Sequence, residues 1–167
     1  MYVRGRISLD RGGVFELMNR ASVHLEEGAE LDGGTDGTTP TLFILRGDVH
    51  IDGGIASHLP NVQFGSSATL YGSGLQGSFG ELTFGFQELS GDSVTLDSSL
   101  GGLVAAKASV SDHSTLMLGA DGQLGGEPSL SLGKTSTLDT RGFSASFSDL
   151  SWTSSTVWAC LLYTSPS

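Results

Sequence analysis

Five aspartates, Asp10, Asp32, Asp52, Asp97 and Asp139, each close an apolar–x–apolar phrase, so they hold equivalent places along the chain. Carboxylates repeated in register could stack and hold calcium, which prefers clustered oxygen ligands. Calcium-binding β-rolls set their aspartates in glycine-rich nonapeptides, and only Gly33-Gly34-Thr35-Asp36-Gly37 approaches that pattern, once. Aspartate also caps strand ends by accepting hydrogen bonds from the turn backbone, and that is the expected role here. Glycoside hydrolysis needs two carboxyl groups across one bond. Adjacent rungs of a stacked fold would bring Asp32 and Asp52 to about 5 Å, yet the same residue recurring five times reads as a structural habit. A polysaccharide lyase would set cations beside carboxylates, whereas Arg4, Arg6, Arg11, Arg20, Arg46, Lys107, Lys134 and Arg141 are scattered.

His24 and His50 share a local phrase, Val-His-Leu and Val-His-Ile. The register inferred from the repeat places His50 beside Glu30 and Thr69, and His24 beside Ile44. A two-histidine metal centre is therefore not expected, and both rings are read as facing solvent. No nucleophile elbow, P-loop or dinucleotide fingerprint occurs in a strand–helix context. No catalytic, cofactor-binding or metal-binding residue is assigned, and the chain is not expected to be an enzyme.

The elements that carry these residues follow from the phrase itself. Its inner apolar residue is Leu9, Leu31, Ile51, Leu70, Leu96, Leu118 and Leu138, at intervals of 22, 20, 19, 26, 22 and 20. A period of about 21 marks a solenoid, whose units bury their apolar faces only by stacking. A second apolar pair often lies six residues ahead: Val23/Leu25, Phe43/Leu45, Val62/Phe64 and Leu130/Leu132. Corners at Gly28, Gly47, Gly65 and Gly133 separate the pairs, where glycine allows a sharp turn. Alternation at period two makes each pair a half-buried strand. The expected fold is all-β, a parallel β-helix of about seven rungs, with Leu31, Ile51 and Leu70 stacked in one dry column. Nowhere do apolar residues keep helical spacing, and Leu100–Val110, the best helical candidate, alternates as a strand through Ala108-Ser109-Val110.

Two departures from the period carry expectations. The 26-residue interval before Leu96 contains Gly72–Phe86, which should protrude as a loop or widen a rung. The run Thr41-Leu42-Phe43-Ile44-Leu45 is apolar without alternation, so Ile44 should point outward, under a loop or within an apolar patch. Alternation turns Phe143, Ala145 and Phe147 toward the core rather than into a sugar-binding platform.

The totals agree with this reading. Twenty-five glycines in 167 residues and a charged fraction of only 16% suit an all-β fold with many turns. A net charge of −10 disfavours nucleic acid and anionic membrane surfaces as partners. No run is long enough for a transmembrane helix, and Met1–Gly5 lacks a signal-peptide layout. The final octamer, Cys160-Leu161-Leu162-Tyr163-Thr164-Ser165-Pro166-Ser167, resembles the conceptual translation of a sequencing-library adapter. On that reading residues 1–159 are a β-helix repeat fragment, 160–167 are a non-native tail, and the single cysteine is not native.

Leu116-Met117-Leu118-Gly119-Ala120-Asp121-Gly122, then Ser136-Thr137-Leu138-Asp139-Thr140-Arg141-Gly142-Phe143-Ser144, resembles the passenger repeats of bacterial autotransporters. The family phrase pairs a leucine–glycine–alanine turn with a serine/threonine–leucine–aspartate strand ending in glycine–phenylalanine. The likeness is good over 116–150 and looser elsewhere. Thr140-Arg141 stands where the family usually has an apolar residue and asparagine. The resemblance implies a passenger or adhesin-like stalk, secreted or at the bacterial cell surface. It further implies a translocator barrel in the full-length protein and a host surface or polysaccharide as partner. The competing reading is an extracellular carbohydrate-active β-helix enzyme, which should gather carboxylates and basic groups in one groove.

Overall fold

The computed structural model describes residues 1–9, 13–17, 22–34, 42–87, 91–154, 156–158 and 161–164. Among them there is no helix, and every strand pairing is parallel. The chain winds as an all-β solenoid of about six turns with a period near 22 residues, against the seven turns of 21 expected.

Each of the first four turns visits three faces in order, and from the fifth the start of Leu103–Val110, paired with Leu124–Gly125, stands where the second face was. The first face is an eight-stranded ladder of Tyr2–Val3, Val23–Leu25, Val49–Ile51, Ala68–Gly72, Ser93–Leu96, Thr115–Met117, Thr137–Asp139 and Thr156–Trp158. The second holds Arg6–Ser8, Glu30–Asp32, Ile55–Ser57 and Gln76–Gly77. The third stacks Val14–Leu17, Leu42–Arg46, Asn61–Gly65, Phe79–Phe84, Leu103–Val110, Ser129–Leu132 and Asp149–Trp152. The 100–110 stretch is a strand, as its alternation required. Leu161–Thr164 pairs in parallel with Ser144–Phe147.

Alternation decides what is inside. Val23 and Leu25 are buried while His24 between them is not, and Val49, His50 and Ile51 repeat the pattern one rung on. Inward residues of all three faces merge into a single apolar core. Phe43, Phe79, Phe84 and Phe147 are its largest fully buried side chains. Ala145 and Phe147 are buried and Phe143 packs against the core, whereas Trp152 further on is exposed. Ile44 faces outward as expected, in a half-buried position.

Three register expectations need correction. Leu31, Ile51 and Leu70 are all buried in the same core but do not pair with one another. Leu31 pairs with Ile7 and Ala56 on the second face. Ile51 pairs with Leu25 and Gly72, and Leu70 with Val49 and Leu96, on the first. The cause is a phase slip. The six-residue separation of apolar pairs is common to two different corners: Gly28 joins first face to second, whereas Gly47, Gly65 and Gly133 join third to first. Second, the long interval widens a turn, one of the two outcomes expected, but not at Gly72–Phe86, where Gln76–Gly77 and Phe79–Phe84 lie in their ladders. The excess of that turn sits between Phe84 and Ser93, where the previous turn needs only Ser66 and Ser67 to reach its next strand. Third, the aspartates do not form a column. Asp32 pairs with Ser57, not Asp52, and Asp52 follows a strand of a different face. Asp10 lies outside the described residues.

Candidate functional site

The register that separates Asp32 from Asp52 brings the two histidines together. Val23–Leu25 and Val49–Ile51 align so that His24 pairs directly with His50, contrary to the positions expected beside Ile44 and Glu30. The outward set of the first face then reads Tyr2, His24, His50 and Tyr71 on consecutive rungs. Their rings form a continuous column, with centroids 5.0, 4.3 and 4.6 Å apart. Backbone pairing sets this spacing, and the stacked rings restrict each other's rotation.

Asp52 sits at the edge of the column. Its backbone N–H donates to Leu25 O at 2.8 Å, which turns the carboxylate back toward the rings. His24 Nε2 donates to Asp52 Oδ2 at 2.7 Å, and His50 Nε2 to Oδ1. The His24 bond, against some loss of hydration and with help from His50, holds the Asp52 carboxyl below its ordinary range. Beside the column lies a hollow of about 180 Å³ lined by Met1, Tyr2, Ser22, Val23, His24, His50 and Tyr71. Two imidazoles and one carboxylate facing solvent can share protons or ligate a cation.

The other aspartates behave differently. Asp32 is buried, and its Oδ2 accepts from Arg6 Nε at 2.9 Å and Ser8 Oγ at 2.9 Å. Its Oδ1 accepts from Gly34 N at 3.0 Å and His58 Nδ1 at 2.7 Å. Burial alone would push this carboxyl up, but the bonds from Arg6, Gly34, His58 and Ser8 outweigh it and hold it well below the usual range. Asp97 and Asp139 are turn caps, accepting from Ser99 N and Arg141 N at 2.9 Å each, as expected. Both are acceptors already engaged with the backbone.

Asp92, which the repeat phrase does not mark, holds the wide corner together. It is buried and accepts from the backbone N–H groups of Ser66, Ser67, Phe86 and Ser93 at 2.6–3.0 Å. The corner carries Phe86 over the outward side of the third face, where the Arg46 guanidinium lies 4.1 Å from its ring. Arg46 Nε also donates to Glu16 at 2.8 Å. These groups line a second hollow with Ile44, Gln63 and Gln87, which accounts for the partial cover over Ile44. Among the described residues, one carboxylate and one cation line it.

The histidine column had a signal in the sequence that the phrase obscured: the triplets Val-His-Leu and Val-His-Ile align one on the other without a gap. Asp92 had none, since its partners are backbone groups contributed by two rungs. No protein family, curated protein or solved structure matches this chain.

Proposed function

We propose that this chain is a segment of a surface-exposed or secreted β-helical passenger stalk, adhesin-like and without turnover of its own. The observation carrying this reading is the uninterrupted parallel stack, in which each rung serves mainly to continue the next. The likeness of residues 116–150 to autotransporter passenger repeats supports it, as does the spread of the described basic residues, with Arg6 on the second face, Arg46 and Lys107 on the third, and Lys134 and Arg141 in turns. The natural setting would add a translocator barrel, and the partner would be a host surface or polysaccharide. Residues 160–167 are read as adapter-derived; parallel pairing of Leu161–Thr164 uses backbone groups that any sequence offers. The test is display. The chain is placed between an export signal and an autotransporter barrel, and surface exposure is read by protease added to intact cells. Cleavage of the chain by protease added to intact cells supports the stalk, and retention inside the cell, beyond the reach of that protease, overturns it.

A carbohydrate-active enzyme is the second reading, favoured by one cluster on the second face. Arg6, Glu30, Asp32 and His58 converge there. Asp32 is saturated by its donors, which suits a structural ion centre better than an acid or base. Release of reducing ends from a polysaccharide panel, abolished by Glu30→Gln, would decide for the enzyme.

A further inference from the structure

We propose that His24, His50 and Asp52 form a binding site for a divalent transition-metal ion of the zinc, nickel or copper class. Each residue offers one ligand atom, and the three atoms lie within 4.8 Å of one another. Ligand atoms around a tetrahedral ion with bonds near 2.0–2.1 Å sit about 3.3 Å apart, so small side-chain rotations suffice to close the set. The backbone does not have to move. Parallel pairing of Val23–Leu25 with Val49–Ile51 fixes the two histidines side by side, and the Leu25 O bond fixes Asp52.

The donor set selects the class of ion. Two imidazole nitrogens and one carboxylate suit zinc, nickel or copper, whereas calcium and magnesium require oxygen ligands throughout. The metal would take the Nε2 lone pair of each ring. The proton now on Nε2 then moves to Nδ1 if the ring is neutral, or leaves to solvent if the ring is cationic. Asp52 would exchange its two imidazole donors for the ion. The side chains of His24, His50 and Asp52 are 28%, 31% and 46% exposed, so an ion can reach them without opening the fold. The adjoining hollow leaves room for water in the fourth position. Tyr2 and Tyr71 flank the site through ring contacts and limit how far the imidazoles can swing.

The remaining histidines provide controls. His58 Nδ1 is engaged by the saturated Asp32, and His113 Nδ1 contacts the Thr135 hydroxyl.

The experiment uses the whole chain, with cobalt(II) as the spectroscopic probe and zinc(II) measured by competition with a chromophoric chelator. One ion per chain is expected, with visible cobalt bands of a low-coordinate nitrogen–oxygen site. His24→Gln, His50→Gln and Asp52→Asn should each weaken zinc binding about tenfold or more, while His113→Gln should change it less than about twofold. Because the ion ties two rungs together, zinc should raise the thermal midpoint of the wild type and not that of the His24→Gln/His50→Gln double variant. All these side chains face solvent, and circular dichroism confirms that each variant keeps its strands. Zinc binding by the double variant as tight as wild type overturns the site. So does absence of uptake by the wild type at millimolar metal, or equal preference for calcium.

Discussion

At the scale of single residues, the buried carboxylates Asp92 and Asp32 matter more to this fold than the aspartates exposed at turns. Asp92 satisfies four backbone N–H groups contributed by two successive turns. Truncation to alanine strands those donors in a buried corner, and hydrogen bonds to charged groups contribute about 1.5–3 kcal/mol each before relaxation. Asp92→Ala should therefore cost about 3 kcal/mol or more in urea unfolding, while Asp97→Ala, at an exposed turn, should cost about 1 kcal/mol or less. Asp32 couples stability to pH. Its folded pKa lies below the unfolded value, so its contribution is complete above about pH 5. As pH falls through the ordinary carboxylate range the unfolded chain takes up the proton first, and stability declines until the folded carboxyl also protonates. A stability–pH profile of Asp32→Asn should have a shallower acid-side slope than wild type, the remainder coming from Asp52, Asp97 and Asp121, whose carboxyls are also held below their ordinary range. Thr140 makes the opposite case. It is fully buried, and its hydroxyl has no hydrogen-bond partner among the described residues. Thr140→Val should stabilise by about 1 kcal/mol in the same assay.

At the scale of elements, the turns between faces set how closely the rungs approach. Gly72 ends a strand of the first face at φ +109°, and a Cβ there would stand 2.3 Å from Ile51 O. Gly72→Ala adds left-handed strain to a clash with backbone that cannot yield without parting two strands, and should lower the unfolding free energy by about 2–4 kcal/mol. The strands themselves were legible, since period-two alternation picked out Val23/Leu25, Phe43/Leu45, Phe143/Ala145/Phe147 and the 103–110 strand correctly. Their assignment to faces was not. Apolar pairs six residues apart flank both the corner at Gly28 and the corner at Gly47, and nothing in hydrophobicity distinguishes the two. One phase slip moved Leu31 into the wrong ladder, and it parted His24 from His50. The wide corner between Phe84 and Ser93 was hidden for a related reason. The residues of Gly72–Phe86 contain enough glycine and serine to pass for a loop, although Phe79, Leu82 and Phe84 alternate into the core.

At the scale of the molecule, stacking was the most legible property, because a fixed period constrains every rung at once. The outward surface was the least legible. Burial imposes a pattern on inward side chains, while outward ones meet only through register, and register was the quantity in error. The aromatic and histidine column shows what such neighbours can build without leaving any mark on composition.

The chain enters at one end of the stack and leaves from the other, and each turn contacts chiefly the turns before and after it. Tension applied to the two termini would therefore act on one terminal layer at a time, as thread leaves a spool. A layer of about 22 residues releases on the order of 75 Å of contour. Single-molecule stretching should accordingly record a staircase of near-equal extensions, and a filament built this way would absorb load by releasing length before it parts.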